Sequence, residues 1–84
     1  MSYKDNFRKY YNVGEQDIIL CAVCGAVAVD IHHIKMKSQG GTDDVSNLVP
    51  LCRYCHQNAH SRKISEEYLK SRRELYEEHA NIER

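Results

Sequence analysis

Apolar residues mark out the elements of this chain before any other feature does. Tyr3, Phe7, Tyr10 and Tyr11 fall at i, i+4, i+7 and i+8. That spacing predicts a short helix ending near Asn12–Gly14, with Gly14 suited to its C-terminal cap. Lys4, Arg8 and Lys9 interleave with these aromatics, and the stripe favours a helix that covers the core over one that contacts nucleic acid. Ile18–Leu20 lead into a C-x-x-C knuckle. From Ala26 to Ile34 the chain alternates, with Val27, Val29 and Ile31 on one face, which predicts a strand. Residues 35–46 carry Gly40–Gly41 and Asp43–Asp44, the chemistry of a loop. Asn47–Leu51 reads as a second short strand, kept short by Pro50. A helix is expected from Arg53 to about Ser61. Ser65 is suited to cap another, with Glu66 and Glu67 in a first turn that favours acidic groups. That last helix is expected to reach about Asn81, and its stripe of Tyr68, Leu69, Leu75 and Tyr76 suits a core or an interface. The two C-x-x-C knuckles are the one internal repetition.

Composition adds a size limit. With 84 residues, a single domain spanning 1–84 is expected, with an N-terminal helical segment at 1–17 and a C-terminal helix at 64–82. Only 20 residues are Ile, Leu, Val, Met or Phe. A chain this short buries about 60–65% of the surface its unfolded form exposes, so a metal staple is expected to supplement its core. Collagen, long disorder and coiled coil are excluded, because nothing is low in complexity and no heptad run dominates. The longest largely apolar stretch, 18–29, is too short for a bilayer that needs about 20 residues, so no membrane association is expected. The N-terminus has no apolar core of a secretory signal, so an intracellular, cytoplasmic location is expected. Twelve basic and twelve acidic residues cancel. Within 21–63, however, five basic side chains outnumber three acidic ones, while 64–84 carries four basic and six acidic. An anionic ligand would therefore prefer the middle of the chain.

The four cysteines form two pairs, Cys21/Cys24 and Cys52/Cys55. Disulfides would need an oxidising compartment. A thioredoxin-like site uses one such pair, not two. Two knuckles supply the four soft donors of a tetrahedral zinc site, with every position filled and none open to substrate, so its role would be structural. Of five histidines, His79 suits an ordinary surface position. His32 and His33 are adjacent, and His56 and His60 lie four apart, on one face of a helix. Cys55 and His56 lie about 100° apart around that helix. The cysteines can thus face one metal while His56 and His60 face another.

The order strand, loop, short strand, helix, with His-His closing the first strand and Asn opening the second, resembles the HNH endonuclease family, whose fold is the ββα-metal or His-Me finger. The matching segments are D-I-H-H-I (30–34), G-G-T-D-D (40–44), S-N-L-V-P-L-C (46–52) and C-H-Q-N-A-H (55–60). Together they place the core of the resemblance at 21–60. It implies a small α+β fold: a short antiparallel β-hairpin plus a helix, with flanking helices and a four-Cys zinc site. Many members have Pro two residues after the H-H-I or D-H-I triplet; this chain has Met36.

The resemblance implies a metal-dependent endonuclease that hydrolyses phosphodiester bonds in DNA, leaving a 5′-phosphate and a 3′-hydroxyl. His33 would be the general base, and His32, His56 and His60 the ligands of a catalytic divalent cation (Mg²⁺, Mn²⁺, Ni²⁺ or Zn²⁺). Asn47 would brace the loop that orients His33. Cys21, Cys24, Cys52 and Cys55 would hold a structural Zn²⁺. A metal can neutralise a phosphate oxygen and stabilise the leaving alkoxide, and an imidazole titrates near working pH. An ideal strand points His32 and His33 to opposite faces, so a frayed or twisted strand end is expected, and an exchange of their roles stays open. Lys35, Lys37, Arg53, Arg62 and Lys63 are candidate phosphate contacts. The expected partner is therefore DNA, bound with little sequence specificity unless a protein partner or a homodimer supplies it. Two other readings stay open: a zinc-binding module that grips nucleic acid or protein without cutting, and a purely structural protein with a second closed zinc at the histidines.

Overall fold

The computed structural model describes residues 2–80. Helix α1 spans Tyr3–Tyr11. Ser2 caps it by accepting the Asp5 N–H at 3.3 Å, and the Asp5 carboxylate accepts the Ser2 N–H in return. Phe7 and Tyr11 are buried, as a core-covering stripe requires. The helix ends on Asn12 rather than on Gly14. Asn12 takes the left-handed conformation at φ 56°, and its N–H reaches the Lys9 carbonyl; asparagine tolerates that conformation better than most side chains.

The first knuckle is a tight turn in which Leu20 pairs with Val27, the Gly25 N–H bonds the Cys21 carbonyl at 3.0 Å, and Gly25 sits at φ 82°. Strand β1 is therefore shorter than the alternating run suggested. It spans Asp30–His33. Val27 and Val29 belong to the approach to it and are exposed, while Ile31 is buried. The Leu20–Val27 pairing and the Ala28 N–H bond to the Ile19 carbonyl use backbone groups that a longer strand would have needed, while the Val29 N–H reaches the Leu51 carbonyl at 3.0 Å.

Strand β2, Leu48–Leu51, pairs antiparallel with β1, placing His32 opposite Val49 and His33 opposite Leu48. Its four residues are all buried. Pro50 lies inside it, and its carbonyl accepts the Ala22 N–H at 3.0 Å, which ties the first knuckle to the strand. In a two-stranded sheet its missing N–H costs no ladder bond on the outer edge.

Helix α2 spans Arg53–His60, capped by Cys52, whose Sγ accepts the Cys55 N–H at 3.4 Å. Helix α3 spans Glu66–His79, and the Ser65 hydroxyl accepts the Tyr68 N–H. Asn81, expected near its end, lies outside the described residues. The core has two parts. Ile34, Val49, Leu51 and Leu69 pack with the cysteines. Phe7, Tyr11, Ile19, Ile31 and Leu48 pack beneath α1. Tyr76 of α3 packs against both. Arg72 of α3 clasps the first knuckle by donating Nε–H to the Ala22 carbonyl at 2.8 Å. Among the described residues, no helix is long and apolar enough to cross a membrane.

The loop between the strands is tightly built. A 3₁₀ turn at Lys37–Gln39 ends on Gly40 at φ 89°. A Cβ at Gly41 would collide with the Lys35 carbonyl. Met36 has φ −61°, the value a proline ring imposes, so the loop keeps that backbone geometry without one.

Candidate metal centres

The two knuckles bring Cys21, Cys24, Cys52 and Cys55 together, with all four Sγ atoms within 4.8 Å of one another. Cys24 and Cys52 approach to 3.5 Å. Four sulfurs each about 2.3 Å from a tetrahedral ion lie about 3.8 Å apart, so the cluster fits a metal such as zinc. Three of the thiols are buried and Cys24 is exposed. Burial works against ionising Cys21, but backbone N–H groups of Cys24, Cys52 and Val23 outweigh it and lower its pKa to about 7. Burial and the neighbouring thiols push Cys55 well up. A cation at the centre would offset the repulsion among the thiolates and hold all four deprotonated.

The second cluster is His32, His56 and His60, one ring nitrogen of each within 4.8 Å of the others. Strand β1 presents His32, and α2 presents the other two one helical turn apart. The Nε2 atoms of His56 and His60 approach to 3.1 Å, close to the spacing of about 3.3 Å expected of two imidazoles on one tetrahedral ion. His32 is buried at 6% exposure. Burial, then the facing His56 and His60, lower its pKa to about 4, so it stays a neutral donor. His56 is lowered too, by burial, with Asp30 pulling the other way. Its Nδ1 lies 3.5 Å from Asp30 Oδ2, an arrangement in which a carboxylate orients a ligating imidazole. Three donors leave a position open, as in catalytic metal sites.

His33 does not join that cluster. Its Nε2 lies 2.8 Å from Asp43 Oδ1, and its ring lies 4.4 Å from that of Tyr3 of α1, tilted at 59°. His33 and then Lys37 hold the Asp43 carboxyl below its usual range. Yet His32 and His33 both line one open cavity of about 360 Å³, with His56, His60, Asp30, Tyr3 and Lys37. The strand end thus delivers both histidines to a single space although their contacts differ.

Asn47 bonds the loop rather than His33. It accepts the Lys35 N–H at 2.8 Å and donates to the carbonyls of Thr42 at 2.8 Å and Lys35 at 3.1 Å, closing the loop on itself. Among the candidate phosphate contacts, Lys37 borders the histidine cavity. Arg62, at φ 64°, borders a neighbouring one that shares Met36 and His60. Lys35, Arg53 and Lys63 are exposed and line neither. The sequence pattern assigned Asp30, Asp43 and Tyr3 no place in the site. Asp30 lies two residues before His32, which was a local signal; Asp43 and Tyr3 reach the site only through the fold. His79 is exposed, with Nδ1 near the Leu75 carbonyl.

A hairpin feeding a helix carries both clusters, three imidazoles and four thiols, each of which could hold a metal ion. The sequence profile of the HNH endonuclease family matches residues 21–62, half of the chain, and the chain belongs to that family. It is also 45% identical, over 51 aligned positions, to a protein of Sarcophyton glaucum named mitochondrial DNA mismatch repair protein mutS homolog; the match covers 54% of this chain and 5% of that relative. The chain therefore spans about a twentieth of that relative's length. No solved structure matches it significantly.

Proposed function

We propose that this chain is a metal-dependent endonuclease that hydrolyses phosphodiester bonds in DNA. The observation that carries the reading is the shared cavity: three imidazoles converge on one side of it, and a fourth histidine outside the cluster lines the same space. A divalent cation held by His32, His56 and His60 would neutralise a non-bridging phosphate oxygen and stabilise the leaving alkoxide. His33 takes the proton of the attacking water. Asn47 holds the loop beside it. Asp30 keeps His56 oriented. Lys37 and Arg62 face the phosphates on either side, and Lys35, Arg53 and Lys63 extend that contact along the backbone, where positive charge gives affinity without reading sequence. A zinc on the four cysteines would hold the first knuckle to the start of α2 and take no part in the chemistry. The name of the relative in Sarcophyton glaucum supports DNA as the substrate.

The test is nicking of supercoiled plasmid by the zinc-loaded chain, with Mg²⁺, Mn²⁺ or Ni²⁺ added, and with EDTA as control. Cleavage that needs an added cation supports the reading. Binding without cleavage under every cation would make the chain a nucleic-acid grip instead.

A further inference from the structure

His33 has a partner that the reading above does not use. Asp43 Oδ1 lies 2.8 Å from His33 Nε2, while Asp43 Oδ2 lies 3.3 Å from Lys37 Nζ. An ionised carboxylate only accepts hydrogen bonds, so the proton of that contact sits on Nε2. In the neutral ring Nδ1 then is the bare nitrogen, and it has no hydrogen-bond partner among the described residues. The carboxylate is itself held in place. Asn47 pins the Thr42 carbonyl, one residue before Asp43, and pins Lys35 at the other end of the turn. The Gly41 N–H closes the turn onto the Met36 carbonyl at 2.9 Å. The tilted Tyr3 ring of α1 packs against the imidazole, so side chains from two separate segments contact the ring.

We propose that Asp43 is the positioning residue for His33: its carboxylate accepts the Nε2–H, selects the tautomer with bare Nδ1, and holds that ring in the cavity as the proton acceptor. The proposal rests on the nuclease reading. It also gives Asn47 a route to His33, through Thr42 and Asp43, without a contact between them. The logic is that of a carboxylate orienting a histidine base in a hydrolase triad, where the wrong tautomer costs about 10⁴-fold in other enzymes.

The experiment uses the full zinc-loaded chain. Asp43→Ala, Asp43→Asn and Asp43→Glu are made in the wild type and in a His33→Ala background. Plasmid nicking under saturating Mn²⁺ gives kcat and KM. Nitrogen-15 NMR of the imidazoles, without added Mn²⁺, gives the tautomer of His33 independently of cutting. The wild type is expected to carry the proton on Nε2, and Asp43→Ala to give a mixture. Asp43→Ala and Asp43→Asn should lower kcat by about 10²-fold, within the 10²–10⁴-fold that general-base catalysis is worth, with KM and zinc content unchanged. Asp43→Glu should recover part of the loss. In the His33→Ala background the Asp43 substitutions should cost nothing more, whereas a merely structural clasp would slow both backgrounds alike. Equal slowing of both, an unchanged kcat, or a wild-type His33 protonated on Nδ1 overturns the proposal. A wild type that cuts nothing overturns the nuclease reading and the role with it, while the tautomer still reports whether Asp43 holds His33.

Discussion

Helix α2 and its capping residue supply two donors to each of two clusters, and the clusters differ in what they leave open. The thiol cluster has four donors, three of them buried. It draws them from two knuckles that are 28 residues apart between Cys24 and Cys52, so a metal there is enclosed by two separate turns of chain. The imidazole cluster has three donors, running from buried His32 to exposed His60, and faces a cavity. Cys55 and His56 are consecutive, yet the turn of about 100° between them assigns them to different centres. Donor count and exposure, more than donor chemistry, separate a site that holds a fold from one that can meet a substrate.

The largest effect that would break this comparison is on the thiol side. Cys24 is the exposed member of its cluster, yet Cys24→Ala should unfold the chain. Structural zinc supplies on the order of 10 kcal/mol of apparent folding energy, and the core here is small. Circular dichroism and a thermal melt check this; a native melting temperature would contradict it. On the imidazole side, His56→Ala should leave the fold and the zinc in place while weakening the added cation. Loss of one of three donors should cost at least the roughly 10–100-fold typical of losing an outer-shell partner, read by calorimetric titration with Mn²⁺ or Ni²⁺.

Acid sharpens the contrast further. Without an added cation, His32 has a folded-state pKa of about 4, against an ordinary value of 6.5. The unfolded chain therefore binds the proton first, and stability falls as pH drops from about 6.5 toward 4. Denaturant melts across that window should show the slope, and His32→Gln should flatten it. The smallest effect lies away from both clusters. The Tyr11 hydroxyl is buried with no hydrogen-bond partner among the described residues. Tyr11→Phe should leave stability unchanged or raise it by up to about 1 kcal/mol, the scale on which an unsatisfied polar group costs folding energy, with both metal affinities intact. A melt and the same titration check it.

Much of this arrangement was legible in the sequence, for a physical reason. Metal donors three or four residues apart can share an ion on a turn or a helix whatever surrounds them, so both knuckles and the His56–His60 pair stood out. The helices were legible from the stripe under α1 and from Ser65. Boundaries that depend on rival backbone bonds were not. Gly14 was the chemically obvious cap, but Asn12 turned first. Val27 suited a strand, but it pairs with Leu20 inside the knuckle, and among the described residues Val29 keeps only one backbone bond, from its N–H to the Leu51 carbonyl. The contacts that orient the histidines were hidden for another reason. Asp43 lies 10 residues from His33 and Tyr3 lies on another element, so no local spacing announces either contact.

That the imidazole side cuts while the thiol side holds is tested most directly by two nicking rates. The wild type and His33→Ala are measured side by side at cation saturation, on proteins of equal zinc content and melting temperature. The wild type is expected to nick plasmid, and His33→Ala to be slower by about 10²–10⁴-fold, the worth of a general base, with the same cation affinity. Equal rates, or a wild type that leaves the plasmid intact, would contradict the division of labour between the two clusters.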